Sequence, residues 1–244
     1  MTKLNRFIRR YTSIAATIDI LRRKELPLLD PQSWDDRNDR YFMSLYKEAQ
    51  EINGLYALCA ATCSETYHHW RVFTAAADGA CIEIKRGPLE TALSALPGVR
   101  FGKIEYLLLD DVEQLGPADR VRLPFIKRAG FKPETEYRII AETSDAQTPA
   151  LAVEFPIELI NKIYLNPWLP ASIADSLTGI FQSIPGCEGL SVSRSHLIDS
   201  GRWKRSGDRV VGKKKPPKIK LVKPAATSKA KSKPATKPKP RVKT

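Results

Sequence analysis

Long apolar runs are absent from this 244-residue chain. No 18 consecutive residues are apolar, so the sequence predicts no membrane-spanning helix and no membrane partner. The first 24 residues contain neither an apolar signal core nor a small-residue cleavage site, which favours a cytoplasmic location. Cysteine is also scarce, and the four cysteines form no C-x-x-C pair, which is typical of a reducing compartment.

Net charge is absent from most of the chain and concentrated at its end. Residues 212–244 hold 13 Lys and Arg and no Asp or Glu, which equals the whole formal net charge of +13. Residues 1–211 therefore hold 27 basic and 27 acidic residues, by subtraction from the totals of 40 and 27. We predict a globular domain over 1–211 and a disordered Lys/Pro/Ala-rich tail over 212–244, because repelling charges and few apolar groups keep a chain extended.

The tail also lacks aromatic residues, which limits what it can recognise. Its cations gain free energy by displacing counterions from a polyanion, without stacking on bases or reading a sequence. Nucleic acid is therefore the predicted partner of the tail. The lysines predicted to contact it are Lys213, Lys214, Lys215, Lys218, Lys220 and Lys223.

Several familiar site motifs are missing as well. The chain contains no Walker loop and no G-x-G-x-x-G. Cys59, Cys63, His68 and His69 lie close together, but C-x3-C without a second pair is not a usual zinc pattern, so no metal is expected. A Cys–His nucleophile pair lacks an identifiable oxyanion element. The acidic turn at 34–39 matches no calcium loop.

The hydrophobic pattern predicts an α+β fold: a single domain with a mixed, mainly antiparallel sheet flanked by helices. Strands outnumber helices and do not alternate strictly with them, which argues against a doubly wound sheet. The run at 55–63 is rich in small apolar residues, as in a core strand buried on both faces. Other predicted strands lie near 6–12, 26–29, 81–85, 99–109, 134–142, 151–155, 161–167 and 189–195. Predicted helices follow Ser13, span 42–52 with Gly54 as the stop, begin at Pro88, and cover 118–128 and 171–184.

The E-T-E-Y-R segment at 134–138 is the sharpest local feature. On a strand, alternate side chains share a face, so Glu134, Glu136 and Arg138 are predicted to project together. Neighbouring carboxylates raise each other's proton affinity and often mark functional sites. The alternative is a solvated strand face on which Glu and Arg balance each other.

Glycosidic-bond chemistry gives this segment a specific interpretation. One carboxylate can stabilise a developing oxocarbenium ion, and a second can orient or deprotonate the nucleophile. Cleavage of nicotinamide from NAD needs two such groups and a cation for the pyrophosphate. Arg9 or Arg10, at the end of the first strand, is the candidate cation, and an exposed charge pair is the alternative for both.

An ordered set of segments resembles the bacterial family called domain of unknown function 2971. The segments are RYTS at 10–13, LLDPQSWDDRND at 28–39, LCAATCSETYHHWRVFTAAADGACIEI at 58–84 and FIKRAGFKPETEYRI at 125–139. The last is similar to the family's K-x-x-x-W-x-x-E-x-E-x-R strand, with Phe131 in place of the Trp. This resemblance implies a bacterial or phage-linked origin and one pocket, lined by residues around Tyr11, 68–70 and 134–138.

The chain also resembles, more distantly, ADP-ribosyltransferases of the Arg–Ser–Glu class. Arg10, the Thr-Cys-Ser at 62–64 and the E-x-E at 134–136 occur in the order of that class. The resemblance implies that Arg10 holds NAD phosphate or ribose and that Ser64 supports the nicotinamide. It also implies that Glu136 stabilises the oxocarbenium ion while Glu134 positions the acceptor. The full set of predicted site residues is Glu134 and Glu136 as catalytic groups, and Arg10, Tyr11, Ser64, His69, Trp70 and Arg138 as cofactor-binding groups.

Two functional hypotheses follow. The first is an NAD-dependent transferase or glycohydrolase that acts near nucleic acid, as a toxin or phage-defence effector. The second is a non-enzymatic, nucleic-acid-associated binding module. The enzyme hypothesis requires Arg10, Ser64 and Glu136 to converge on one cleft, whereas an exposed Glu134–Arg138 ladder far from Arg10 favours the binding module.

Overall fold

A computed structural model describes residues 6–74, 76–145 and 148–213. Two compact units are distinguished, Met1–Gly201 and Arg202–Thr244, so the division lies about ten residues before the predicted boundary. The predicted disordered tail begins at Gly212, and from Lys214 onward it lies outside the described residues. Of the six predicted contact lysines only Lys213 is described, and the nucleic-acid contacts of all six stay predictions.

The described elements alternate irregularly along the chain. The strands are β1 (Phe7–Thr12), β2 (Glu25–Leu29), β3 (Gly54–Ala61), β4 (Ala80–Lys85), β5 (Val99–Lys103), β6 (Glu105–Leu107), β7 (Ile126–Arg128), β8 (Glu136–Thr143), β9 (Ala150–Glu154), β10 (Ile160–Leu165) and β11 (Val192–Arg194). The α-helices are α1 (Ile14–Arg23), α2 (Arg37–Ala49), α3 (Tyr67–Phe73), α4 (Arg86–Ser94), α5 (Leu109–Glu113), α6 (Ala171–Gln182) and α7 (Gly201–Val210). Short 3-10 helices span Pro31–Ser33, Pro117–Phe125, Ala129–Glu134 and Ile157–Leu159.

The sheet is mixed and mainly antiparallel, which confirms the predicted fold class. Its path runs β11-β10-β4-β1-β3-β2-β9, with β8 paired to β3 and β5 paired to β8. Only the β10–β11 pair of this sheet is parallel in the part of the chain that is described. β3 is buried over nearly its whole length, as its small apolar residues predict.

β1 and β3 pair at one point and then separate, which leaves an opening between the two strands. The two strands share a single residue pair, Arg9 with Ala61, whereas β3 and β8 pair along all of β3. Beyond that point, arginines of β1 bond the carbonyl groups of β3 and the residues after it. Arg10 donates to the Cys59 carbonyl at 2.9 Å, and Arg9 donates to the Cys63 carbonyl at 2.6 Å. Buried carbonyls without a strand partner are satisfied in this way.

Side-chain caps fix the helices beside this opening. Asp36 accepts hydrogen bonds from the backbone N–H groups of Asn38 and Asp39, so α2 begins there and carries Asp39 in its first turn. Thr66 accepts from the N–H of His69 and begins α3. Each cap therefore places one side chain of the candidate site.

One helix prediction and one stop signal were wrong, and three helices were not predicted. The segment 118–128 is a 3-10 helix followed by β7, because Pro124 has no N–H to donate and interrupts an α-helix. α2 ends at Ala49, five residues before Gly54, which instead begins β3. α3, α5 and α7 were not predicted at all.

The strand predictions near the acidic segment also need correction. The predicted strand 99–109 is two strands in different sheets, with β6 paired to β7. β8 begins at Glu136 rather than at Glu134. Glu134 ends a 3-10 helix, and Thr135 has a left-handed backbone (φ 44°) that turns the chain into the strand. Simple strand alternation therefore does not relate Glu134 to Glu136.

Candidate active site

A cavity of about 450 Å³ lies where β1 and β3 separate. This volume is within the range of small-molecule sites. Its walls come from β1, β3, the segment before α2, α3 and the link from β7 to β8. The lining residues that matter most for chemistry are Arg10, Tyr11, His69, Lys127, Glu134 and Glu136.

A second cavity of similar volume, about 460 Å³, lies beside α2 near Asp30 and Lys47. It contains none of the predicted site residues. The first cavity is distinguished by unsatisfied polar atoms. Among the described residues, two buried side-chain atoms have no hydrogen-bond partner, Tyr11 Oη and Asp36 Oδ2, and both residues line it. Buried polar atoms normally have partners, so the exceptions indicate a place that a ligand or water completes.

Glu134, Glu136 and Lys127 form one charged cluster in the cavity wall. Lys127 Nζ lies 2.6 Å from Glu134 Oε2 and 3.2 Å from Glu136 Oε2. All three side chains are at most 10% exposed. The two carboxylates thus meet through a shared cation rather than by strand alternation.

Arg138 supports Glu136 from beneath the cavity. Its side chain has no exposed surface and donates from Nε to Glu136 Oε1 at 2.7 Å. Its two terminal nitrogens form a bidentate pair with Asp39 at 2.9 and 2.6 Å, and one also donates to the Pro124 carbonyl at 2.8 Å. The guanidinium carbon lies 4.7 Å from the Trp34 ring centroid. The guanidinium of Arg138 is therefore occupied by protein groups, one of which is the Glu136 carboxylate.

The two carboxylates differ in their affinity for a proton. Burial alone would raise the pKa of Glu136, but Arg138 and Lys127 outweigh burial and lower that pKa to about 2. Burial raises the pKa of Glu134, and Lys127 offsets only part of that increase. Burial would lower the pKa of Lys127, but Glu136 and Glu134 raise it instead. At neutral pH Glu136 is a fixed negative charge, and Glu134 is the carboxylate that gains a proton more readily.

Arg10 supplies positive charge to the same cavity. Within the described ranges no carboxylate forms an ion pair with it, and it donates a hydrogen bond to the neutral Cys59 carbonyl. Burial lowers the pKa of Arg10 overall, and Cys59 and Glu136 offset only part of that decrease. Arg9, its neighbour, is instead paired with Glu83. Arg10 is thus the better candidate for binding an anionic ligand.

His69 also lines the cavity and is buried. Its Nε2 donates to the Glu134 carbonyl at 2.9 Å, and its Nδ1 lies 2.5 Å from Thr66 Oγ1. Because a carbonyl can only accept, the neutral ring carries its proton on Nε2, and the Thr66 hydroxyl donates to Nδ1. The ring stacks on Tyr11 with centroids 5.2 Å apart. His69 therefore links α3, β1 and Glu134, the last residue of the 3-10 helix before β8.

Cys63 forms a sulfur contact with His69. Cys63 Sγ lies 3.8 Å from His69 Nε2. Burial would raise the pKa of Cys63, but the hydrogen bonds from His69 and Thr135 lower it overall. This cysteine is half-buried, whereas burial raises the pKa of Cys59, Cys81 and Cys187. Cys63 is consequently the cysteine with the most thiolate character.

Three of the predicted site residues do not line the cavity. Ser64 is exposed and contributes nothing to the wall. Trp70 is fully buried, packs edge-on against Tyr11 and donates from Nε1 to Glu65 at 2.6 Å. Arg138 lies behind Glu136, as described above. The catalytic and binding roles of all the predicted residues stay predictions.

Lys127 and Asp39 were not among the site residues predicted from the sequence. Lys127 occupies the first position of the K-x-x-x-W-x-x-E-x-E-x-R pattern, so a signal for it was present in the resemblance. Asp39 was considered only as part of an acidic turn, and no sequence signal connects it to Arg138, 99 residues later. Within residues 6–74, 76–145 and 148–213, no cluster of three His, Cys, Asp or Glu side chains could hold a metal ion.

No family model and no curated protein matches the chain, so the resemblance to domain of unknown function 2971 stays a prediction. Solved structures of one protein, DarT from Thermus sp. 2.9, are similar to it. The complex of DarT with ADP-ribosylated ssDNA has a TM-score of 0.42 at 15% identity, over 78% of this chain and 94% of that chain. The complex with NAD+ has a TM-score of 0.40 at 15% identity, over 78% and 96%. Similarity at this level does not transfer a function, which has to be argued from the cavity itself.

None of the described helices has the length and apolar character required to cross a bilayer.

Proposed function

We propose that the domain binds NAD in the β1–β3 cavity and cleaves its nicotinamide–ribose bond, as an ADP-ribosyltransferase or NAD glycohydrolase. The observation that supports this most is the pairing of charges in one cavity. Arg10, a cation without a carboxylate partner among the described residues, lines it together with the Glu134–Lys127–Glu136 cluster. A dinucleotide with an anionic pyrophosphate and a cationic nicotinamide is complementary to a wall that carries both a cation and carboxylates.

Arg10 would bind the pyrophosphate. A guanidinium offers several donors in a planar fork, and among the described residues only Nη1 of Arg10 has a protein acceptor. The remaining donors are available to phosphate oxygens. Rings in the wall suit the flat parts of the ligand, namely Tyr11, Trp34, Phe73 and Phe131.

Glu136 would stabilise the transition state. When the bond between ribose C1′ and nicotinamide N1 breaks, its electron pair leaves with neutral nicotinamide and positive charge develops on the ribose. An ionised carboxylate with a pKa of about 2, held by Arg138 and Lys127, needs no rearrangement to face that charge. An acceptor oxygen or nitrogen then bonds to C1′ and loses its proton.

Glu134 would receive that proton. Its carboxylate has a raised pKa and lies beside the same lysine as Glu136. A base whose pKa is closer to neutral takes a proton more effectively than Glu136 can. With water as acceptor the products are ADP-ribose, nicotinamide and a proton; with another nucleophile, ADP-ribose is transferred to it.

The basic tail would bring this chemistry close to nucleic acid, in a toxin or phage-defence role. The proposed contacts are those of Lys213, Lys214, Lys215, Lys218, Lys220 and Lys223 with phosphates. The alternative function remains a nucleic-acid-associated module without catalysis. The two are separated by whether the cavity turns over NAD.

The test is NAD consumption by the purified full chain, with nicotinamide and ADP-ribose quantified by chromatography. Reactions are run alone and with single-stranded DNA, duplex DNA or RNA, and products are analysed by mass spectrometry for attached ADP-ribose. We expect Glu136→Gln to lower kcat about 10²–10³-fold, because the amide retains the shape and the Arg138 contact but loses the charge.

Glu154→Gln is the matched control, since Glu154 is exposed on β9 of the same sheet, away from the cavity. It should retain full turnover. Melting temperatures of both variants show whether each is folded. If the folded wild-type chain neither consumes NAD nor is thermally stabilised by it, while still binding nucleic acid, the enzyme proposal is wrong and the binding module is supported.

A further inference from the structure

α7 is an exposed basic helix with one aromatic residue, Trp203. The tail sequence that follows it contains no aromatic residue. The helix spans Gly201–Val210 and has no buried residue. Trp203 is 82% exposed. Trp203, Gly207 and Val210 follow i, i+4, i+7 spacing and therefore lie along one face.

The neighbouring face of α7 is cationic. Arg202, Arg205 and Arg209 follow i, i+3, i+7 spacing and form one stripe beside the tryptophan. Asp208 is the only acidic residue of the helix, and it forms an ion pair with Lys213 at 3.6 Å. Both of these side chains are largely exposed, so their attraction is weakened by water and salt.

A helix of this kind has little reason to be stable alone. Ten residues are fewer than an isolated helix normally needs in water, and Gly207 weakens it further. Burial does not compensate, since none of its side chains is buried. Binding to a partner that covers the tryptophan and neutralises the arginines would supply the missing stabilisation.

We propose that α7 is a binding element for single-stranded nucleic acid, in which Trp203 stacks on an unpaired base while Arg202, Arg205 and Arg209 contact phosphates. This goes beyond the cavity chemistry and does not depend on it. The tail attracts phosphate but contains no aromatic residue. α7 adds the one interaction that the tail lacks, and stacking requires bases that are not already paired.

The narrow apolar face of α7 favours nucleic acid over a lipid surface as the partner of its arginines. The apolar side chains in and directly after α7 are Trp203, Val210 and Val211, with Gly207 between them. A helix that lies in a bilayer interface normally buries a broader apolar face. A single ring and a stripe of arginines match the alternation of bases and phosphates along a strand instead.

The test measures binding of the full chain to a 20-nucleotide single strand, by anisotropy of the labelled strand and by tryptophan fluorescence, across a salt series. We expect Trp203→Ala to weaken binding about 5- to 150-fold with an unchanged salt slope, since a stacked base is lost but no phosphate contact is. Trp203→Phe should restore most of the affinity. Arg205→Ala should reduce the log–log salt slope by about 0.7.

Tyr41→Ala is the control, because Tyr41 is a comparably exposed aromatic (60%) on α2. It should bind like the wild type. A chain that ends at Val211 retains α7 but loses the tail; it should bind more weakly overall and still respond to Trp203→Ala.

The proposal is overturned if Trp203→Ala binds the single strand as tightly as the wild type. It is also overturned if the wild type binds duplex of equal length more tightly than single strand. Stronger binding to phosphatidylserine vesicles than to the strand, with a Trp203 blue shift, would assign α7 to a membrane surface instead. Circular dichroism of each variant establishes that the domain is folded, which is expected because Trp203 is exposed.

Discussion

Replacing Arg138 by Met should destabilise the domain strongly at neutral pH. The substitution removes a fully buried guanidinium that donates twice to Asp39, once to Glu136 and once to the Pro124 carbonyl. Breaking a buried ion pair from one side typically costs about 3–5 kcal/mol. Lys127 remains 3.6 Å from Asp39 and 3.2 Å from Glu136, so part of the charge stays compensated and the lower end of that range is expected.

The pH dependence of this loss follows from Glu136. Its folded pKa of about 2 lies below the ordinary value of 4.5, so its ion pairs stabilise the wild type above about pH 4.5 and lose that effect as the pH falls towards 2. A shift of this size corresponds to at most about 3 kcal/mol. In Arg138→Met the carboxylate protonates at a higher pH, so the difference between variant and wild type should shrink in acid.

Urea unfolding at pH 7 and pH 4, followed by circular dichroism, measures both effects. Arg138→Lys is the first control: it keeps the charge without the bidentate geometry and should fall between wild type and Met. Arg23→Met is the second, since the Arg23–Asp19 pair is largely exposed, and it should change stability little. A loss below about 1 kcal/mol at pH 7, or an equal loss at both pH values, would refute the reasoning.

Two further predictions concern the backbone and the thiol beside the cavity. Cys63 should be the first of the four cysteines to be alkylated by iodoacetamide at pH 7, because the hydrogen bonds from His69 and Thr135 lower its pKa. His69→Gln should slow the alkylation of Cys63. Faster labelling of another cysteine, measured by peptide mass spectrometry, would contradict this. The free energy of unfolding of Thr135→Gly should stay within about 1 kcal/mol of the wild type, since glycine adopts the left-handed backbone without strain. Thr135→Val should melt at a lower temperature than Thr135→Gly. The reverse order would show that strain at this position is unimportant.

Much of the fold could be predicted because its signals are local. Ser13 caps α1 through its hydroxyl, and the small apolar residues of 55–63 fill a strand that is buried as expected. The predictions failed where proline or backbone strain overrode periodicity. Pro124 turned a predicted α-helix into a 3-10 helix, and the left-handed Thr135 delayed the start of β8.

The site was predictable only in part. Arg10, Tyr11, His69, Glu134 and Glu136 were identified from the sequence and all line one cavity. Ser64, chosen from a resemblance in chain order, is exposed, because its position after β3 lies past the end of the paired strand. Order along the chain does not fix which way a loop residue faces.

The sequence by itself determined the α+β class, the separation of a neutral body from a basic end, and the residue types available for chemistry. These depend on composition and on short-range patterns, which the chain carries directly. Only the tertiary structure decided that Asp39 meets Arg138, that Lys127 joins two carboxylates, and that Arg10 is left without a carboxylate partner among the described residues. Asp39 and Arg138 lie 99 residues apart in the chain, and Lys127 meets Glu134 and Glu136 only because the chain turns between β7 and β8. The burial of these groups sets the charge that each one carries.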